Sequence, residues 1–285
     1  MNNQQLHTFY PEDPLLKKYI DYYYFLKTDD DSFYSSYYSF PNVAYSLNIH
    51  KSVSCAIDGH TISVKNDPGN DYLCILQGKY NVPIFVKLQG RLDKITISFK
   101  PLGLNHFIKP TLDEVAPKPS QVFTNWQNHP SYNTFMQAFF ESGSPVARLR
   151  LLEKFLLAQY RPLIEEPLLE RSLKMLTDFD HEYTIAEIAS SLMLSDRTFN
   201  RLFHKHFAIS PVAFRKIARF RHSLNNKLFS QQFGSLTEIG YKSNFYDQAY
   251  FIKVYREITG ENPSRFFDSI TKLADDRLIF KFIRE

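Results

Sequence analysis

Four polar side chains, Arg197, Asn200, Arg201 and His204, are set at spacings of three, one and three residues. At 100° per residue they fall within a sector of about 100° on one helix face. Arginine can hold guanine through two parallel hydrogen bonds, and asparagine can hold adenine in the same way. Such a face has the chemistry to read bases in a DNA major groove. A second set, Ala249, Ile252, Lys253 and Arg256, stands 52 residues later at the same spacing, with Gln248 at its N-terminal flank. The second face is less polar, so weaker direct base readout is expected there.

The elements that must present these faces are legible as an internal repeat. Thr184-x-x-Glu187 is a capping box, followed by an apolar stripe at Ile185, Ile188, Ala189 and Leu192. Ser235-x-x-Glu238 is a second box at an offset of 51, with Leu236, Ile239, Gly240 and Ser243 following. Each short helix leads through a turn into a second helix. Its buried stripe is Phe199, Leu202 and Phe203 in the first copy, and Phe251, Val254 and Tyr255 in the second, at an offset of 52. The offset persists at Pro211 and Pro263, then at Phe214 and Phe266. A helix, a short turn and a second helix form the helix-turn-helix unit, whose second helix enters the major groove. The two units span about 184–206 and 235–257, joined by the basic helix PVAFRKIARFRHSLNNKLF.

Charge agrees with this placement. The chain has 285 residues and net charge +4. Residues 1–170 hold 16 Lys and Arg against 17 Asp and Glu, whereas residues 171–285 hold 18 against 13. Between Thr184 and Lys227 there are eight basic residues and two acidic ones, Glu187 and Asp196. A basic surface on the second half suits a polyanion.

The first half has another character. SSYYSF, VAYSLNI, VSCAI, TISVK, YLCIL, PIFVKLQ and KITISF are strand candidates. Asp58-Gly59, Asp67-Pro68-Gly69-Asn70, Gln77-Gly78 and Gln89-Gly90 punctuate them, as expected of antiparallel hairpins in a sandwich or barrel. LLKKYIDYYYFL is open to a reading as a short helix running into a strand. Residues 110–130 read as an irregular connection, and YNTFMQAFFE and VARLRLLEKFLLAQY as helices. In the latter, Val146, Leu149, Leu152, Phe155, Leu156 and Tyr160 form an apolar stripe, to be covered by its own domain or by a second subunit. Pro162 to Pro167 reads as a linker, and everything from Leu168 onward as helical. The expected division is a β-rich domain over 1–165 with a helical end, then a DNA-binding domain over 168–285.

Other chemistries find little support. Cys55 and Cys74 are too few for a thiolate zinc site; they would meet across strands only as a redox pair and otherwise serve as core residues. His50, His60 and His106 are far apart in sequence, and His204-x-His206 would point its two rings apart on a helix. Phosphate-binding GxxxxGK[ST] and nucleophile-elbow GxSxG patterns do not occur. No catalytic residue, metal or cofactor is therefore expected. The tyrosines at 22, 23, 24, 34, 37 and 38 could line a ligand pocket or pack as core. No run of about 18 apolar residues and no export signal are apparent, so the expected location is the cytoplasm, away from membranes.

TIAEIASSLMLSDRTFNRLFHKHFAISPVAFRKIARFR and LTEIGYKSNFYDQAYFIKVYREITGENPSRF resemble the paired helix-turn-helix units of the AraC/XylS transcriptional regulators. The resemblance covers about residues 171–270. It implies two recognition helices in successive major-groove segments, with base contacts from Arg197, Asn200, Arg201, Gln248, Ala249 and Lys253. Supporting or phosphate contacts would come from Ser195, Thr198, Lys205 and Asp247. YPEDPLLKKYIDYYYF and ISFKPLGLNHFI are similar, more weakly, to cupin-like N-terminal domains of some such regulators. That implies a domain that senses a small-molecule effector or supports self-association as a homodimer. Met193, Asn244 and Ala208 depart from frequent glycines of the family, and Gly240 from a usual alanine. Met193 in particular is ill suited to a left-handed turn, so the first turn is expected to be built differently. The rival expectation is a cupin-type small-molecule-binding protein or metalloenzyme with an accessory DNA-binding domain.

Overall fold

The computed structural model describes residues 5–78, 80–229, 240, 243, 245, 247–273 and 278–283. Ser235, Leu236, Glu238, Ile239 and Asn244, on which the second capping box and its turn depend, lie outside the described residues.

Ten strands fill the N-terminal part: β1 (Gln5–Phe9), β2 (Ile20–Thr28), β3 (Tyr34–Ser39), β4 (Tyr45–Lys51), β5 (Val53–Asp58), β6 (Thr61–Asn66), β7 (Tyr72–Gln77), β8 (Ile84–Gln89), β9 (Leu92–Phe99) and β10 (Ser120–Val122). Two more, β11 (Thr271–Leu273) and β12 (Leu278–Phe282), come from the C-terminal tail. They form two six-stranded sheets, ordered β1-β2-β9-β4-β7-β10 and β11-β12-β3-β8-β6-β5. The pairings are antiparallel except β6 with β8.

Side-chain alternation explains the layers. On β9, Ile95, Ile97 and Phe99 join one apolar cluster with Tyr23, Phe25, Leu47 and Trp126. Leu92 faces the opposite way, into a second cluster with Leu26, Val53, Val64, Val86 and Leu88. The first sheet therefore has sheet on one side and helix on the other. The helical cover is α3 (Tyr132–Glu141) and α4 (Pro145–Gln159), preceded in the chain by α1 (Leu16–Tyr19) and α2 (Leu112–Val115). In α4, Leu149, Leu152, Phe155 and Leu156 are buried against the protein's own sheet, whereas Val146 is 44% exposed and leaves the expected stripe. That stripe is consumed within the chain and offers no surface to a second subunit.

Several expectations are corrected. Asp58-Gly59 does close a hairpin, β5 to β6, with Gly59 at φ +53°. The turns at 67–70, 77–78 and 89–90 instead carry the chain from one sheet to the other, because a turn reverses direction without fixing the next partner. The reading of 15–26 as a short helix running into a strand does hold: α1 leads straight into β2. The stretch 110–130 contains α2 and β10. The tail after Ser269 is a β-hairpin rather than helix: β12 pairs with the edge of β3, placing Phe280 4.5 Å and Phe282 5.7 Å from Tyr37. Cys74 belongs to the helix-facing cluster and Cys55 packs against the inter-sheet one, so the two thiols do not meet.

Candidate nucleic-acid interface

The helical part contains α5 (Glu166–Leu176), α6 (Ile185–Ser191), α7 (Asp196–Phe207), α8 (Pro211–Phe229), α9 (Gln248–Thr259) and α10 (Pro263–Ser269). The first capping box forms as spaced: Glu187 N donates to Thr184 Oγ1 over 3.1 Å, and Thr184 N to Glu187 Oε2 over 2.7 Å. Ser195 caps α7 through Thr198 N at 3.2 Å, and Asp247 caps α9 through Tyr250 N at 2.6 Å. Each cap satisfies a free N–H and fixes where its helix begins.

The turn between α6 and α7 corrects the expectation about Met193. This residue adopts the left-handed conformation, φ +58°, with its side chain 93% exposed. Hydrogen bonds from Met193 N to Ser190 O and from Leu194 N to Ala189 O, both 2.9 Å, hold the turn. They offset the steric cost of about 1–2 kcal/mol. Ala208 closes α7 in the same conformation at φ +51°, where the second unit uses Gly260 at φ +79°.

Packing sets the orientation of both second helices. Phe199, Phe203 and Phe207 of α7 pack with Ile188, Ala189 and Leu192, while Leu202 is half-buried at the edge. Phe251, Val254, Tyr255 and Ile258 of α9 pack with Phe245 and Phe266. Helix α8 serves both: Phe214 and Ala218 enter the first cluster, Phe220 and Leu224 the second. Ser223 and Tyr255 share a hydroxyl–hydroxyl contact of 2.9 Å, and Lys216 Nζ donates to Glu257 Oε2 over 2.5 Å. One continuous helix thus fixes both units.

The opposite faces point outward. Arg197, Arg201, Gln248, Ala249 and Lys253 are exposed, and none of them makes a side-chain hydrogen bond or ion pair among the described residues. Asn200 differs: it is half-buried, and its Nδ2 donates to Asp196 O over 2.8 Å within its own helix. Ser195 and Thr198 share a 2.9 Å hydroxyl contact, and Lys205 Nζ donates to Glu165 Oε1 over 3.2 Å. His204 is exposed and His206 buried, so the two rings point apart. Burial lowers the pKa of His206, the Glu165 carboxylate opposing.

Three further features lie beyond the sequence pattern. First, α7 is tied to the β-rich part: Tyr45 Oη donates to Phe207 O over 2.5 Å, and Asn105 Nδ2 to His206 O over 3.0 Å. Second, the acidic α2 lies along a flank of α7, with Asp113 Oδ2 3.6 Å from His204 Nδ1. Its start, Thr111-x-x-Glu114, carries the same capping signature as Thr184-x-x-Glu187, and Thr111 N donates to Glu114 Oε2 over 3.1 Å. Third, half-buried Arg221 of α8 lines a cavity of about 40 Å³ with Tyr22, Tyr24, Tyr37 and Tyr80. Burial lowers the Arg221 pKa. Among the described residues, no group of three His, Cys, Asp or Glu side chains is placed to hold a metal, and no helix is long and apolar enough to cross a membrane.

A family model described as a helix-turn-helix domain matches residues 188–269. The arabinose operon regulatory protein of Escherichia coli is 26% identical over 131 residues, 43% of this chain and 44% of that protein. Its counterpart in Salmonella typhimurium is 30% identical over 87 residues, 30% of each chain. The chain thus spans less than half the length of the curated relatives it matches. Among solved structures, ToxT from Vibrio cholerae aligns over 93% of this chain and 98% of its own, at 12% identity and TM-score 0.46. The C-terminal part of the chain, with its two second helices braced on α8, thus matches a helix-turn-helix domain and is similar to part of the arabinose operon regulatory proteins.

Proposed function

We propose that the protein is a sequence-specific transcriptional regulator that inserts α7 and α9 into successive major-groove segments of double-stranded DNA. The observation that carries this is the arrangement of two N-capped helices, each with an exposed polar face and a buried aromatic stripe, on the single helix α8. Base contacts come from Arg197, Asn200, Arg201, Gln248, Ala249 and Lys253. Asn200 must exchange its bond to Asp196 O for one to a base. Ser195 and Asp247 act as caps at the groove edge, and Thr198 and Lys205 lie where phosphates pass. Residues 168–270 carry the DNA-binding part and 1–165 the regulatory one, to whose second sheet the tail strands β11 and β12 belong.

Control by a small effector belongs to this reading, but the cavity between the β-rich part and α8, about 40 Å³, has room for little more than a water molecule, so an effector there requires it to open. The reading is that of a binding protein rather than an enzyme, working where chromosomal DNA is. A homodimer would present four units to two half-sites. Selection of duplexes from a random library by the full chain tests the reading. Enrichment of one sequence with two contacted segments is the expected result. Recovery of unenriched sequence at low salt would overturn it. Stoichiometric zinc, iron or manganese retained through purification would favour the cupin-metalloenzyme rival.

A further inference from the structure

The acidic turn α2 stands where it bears directly on how α7 meets DNA, and its significance rests on the reading of α7 as a groove-binding helix. Leu112, 1% exposed, anchors α2 in the barrel's helix-facing core. Its neighbours Thr111, Asp113 and Glu114 face Thr198, Arg201, His204 and Lys205 of α7 across one cleft. Asp113 Oδ1 accepts from the Thr111 hydroxyl over 2.5 Å, which turns Oδ2 toward His204 Nδ1, 3.6 Å away. At the next two residues of α7, Glu165 takes Lys205 at 3.2 Å and stands 3.7 Å from His206 Nε2. Burial works to raise the Glu165 carboxyl, but hydrogen bonds from its own backbone N–H and from Lys205 hold it below the usual range. The basic flank of α7 is therefore lined by acidic residues from outside the helix-turn-helix unit.

This arrangement bears on groove binding. A major groove is about 12 Å wide and a helix with its side chains about 10–12 Å across, so a recognition helix fills the groove. On a helical wheel, Thr198, Leu202 and Lys205 stand beside the Arg197–Asn200–Arg201–His204 face, overlapping it at Arg201. An element packed along that flank stands where the groove wall runs. The wall is a row of phosphates, and α2 would bring two carboxylates to it.

We infer that α2 is an acidic mask on the first recognition helix: Asp113, with Glu114 beside it in the same cleft, stands along α7 where phosphates would run, and DNA binding requires α2 to come away. The measured affinity of the full chain is then its intrinsic affinity reduced by the fraction of molecules that are unmasked.

The test uses the full chain and a duplex recovered by library selection. Asp113→Asn/Glu114→Gln is compared with the natural sequence and with Asp29→Asn/Asp58→Asn, which removes two charges from exposed positions at strand ends. Thermal unfolding checks that all three are folded. Expected is binding about tenfold tighter for the α2 variant alone, with the advantage shrinking as salt screens both mask and phosphates. Equal affinity of the α2 variant and the natural protein would overturn the mask while leaving DNA binding intact. Failure of all three to bind would instead overturn the DNA-binding reading, and the mask with it. Hydrogen exchange gives a second readout: amides of residues 111–116 should exchange faster when DNA is added. Unchanged or slower exchange there, on a protein that binds the duplex, would contradict release of α2.

Discussion

The guanidinium of Arg221 donates from Nη2 to the carbonyl oxygen of Phe40 over 2.6 Å, and from Nε to Pro41 O over 2.7 Å. The Phe40 ring is itself buried, edge-on to Phe266 at 4.8 Å, in the core of the second unit. A residue just after β3 is thus part of the helix-turn-helix core, and a residue of α8 is part of the barrel's polar interior. The two halves of the chain share both a hydrophobic cluster and a charged side chain bonded to two buried residues.

Removing that charge should be costly. Arg221→Met keeps bulk but leaves the Pro41 carbonyl without this donor in a buried setting. The Phe40 carbonyl retains only the Tyr80 hydroxyl at 2.9 Å. A loss of about 1–3 kcal/mol in urea unfolding is expected. A variant as stable as the natural protein would mean the contact contributes nothing net.

Gly240 offers a change in the opposite direction. It is helical, and a Cβ built there meets Phe251 at 3.5 Å, ordinary van der Waals contact. Gly240→Ala should therefore stabilise the protein by about 0.5–1 kcal/mol through reduced backbone freedom in the unfolded chain. Destabilisation in the same assay would show that the contact with Phe251 is tighter than it measures.

Acid sensitivity arises from three buried histidines. Burial lowers the pKa of His50, His106 and His206, with Lys94 adding to the effect at His50. Each prefers to be neutral in the fold, whereas the unfolded chain takes up protons near pH 6.5. The unfolded state then binds more protons, so stability is full above about pH 6.5 and falls as pH drops below it. The melting temperature should decline between pH 7.5 and pH 5.5, a window above the carboxylate range. A flat or rising profile toward acid would contradict the assignment of neutral rings.

The features legible in the sequence are local ones. The Thr184-x-x-Glu187 box, the phenylalanine stripe of α7 and the matched residues of α9 are set by spacings within one helix, and helix geometry converts them directly into faces. The strand positions are legible for the same reason, since alternation along β9 needs only neighbours two apart. Sheet order is not, because the turns at 67–70 and 89–90 say nothing about whether the next strand pairs beside or across. The tail reads wrongly as helical: LIFKF has no periodicity to decide the matter, and its pairing with β3 joins residues more than 240 apart. Intrinsic preference misjudges Met193, where two turn hydrogen bonds and a solvent-exposed side chain decide. The contact of Asp113 with His204 is likewise tertiary, although the capping signature beside it is present in the sequence.

The most direct measurement of the central claim is library selection repeated with Arg201→Ala and Lys253→Ala in the full chain, followed by footprinting on the duplex preferred by the natural protein. Arg201 belongs to α7 and Lys253 to α9, held apart on one rigid α8. Each substitution should cost about 1–3 kcal/mol in binding and relax preference at its own base position. The two affected segments should lie about one helical turn apart, roughly 34–36 Å along the DNA. Disturbance of the same segment by both variants, or selection of no preferred sequence by any of the three proteins, would contradict the account.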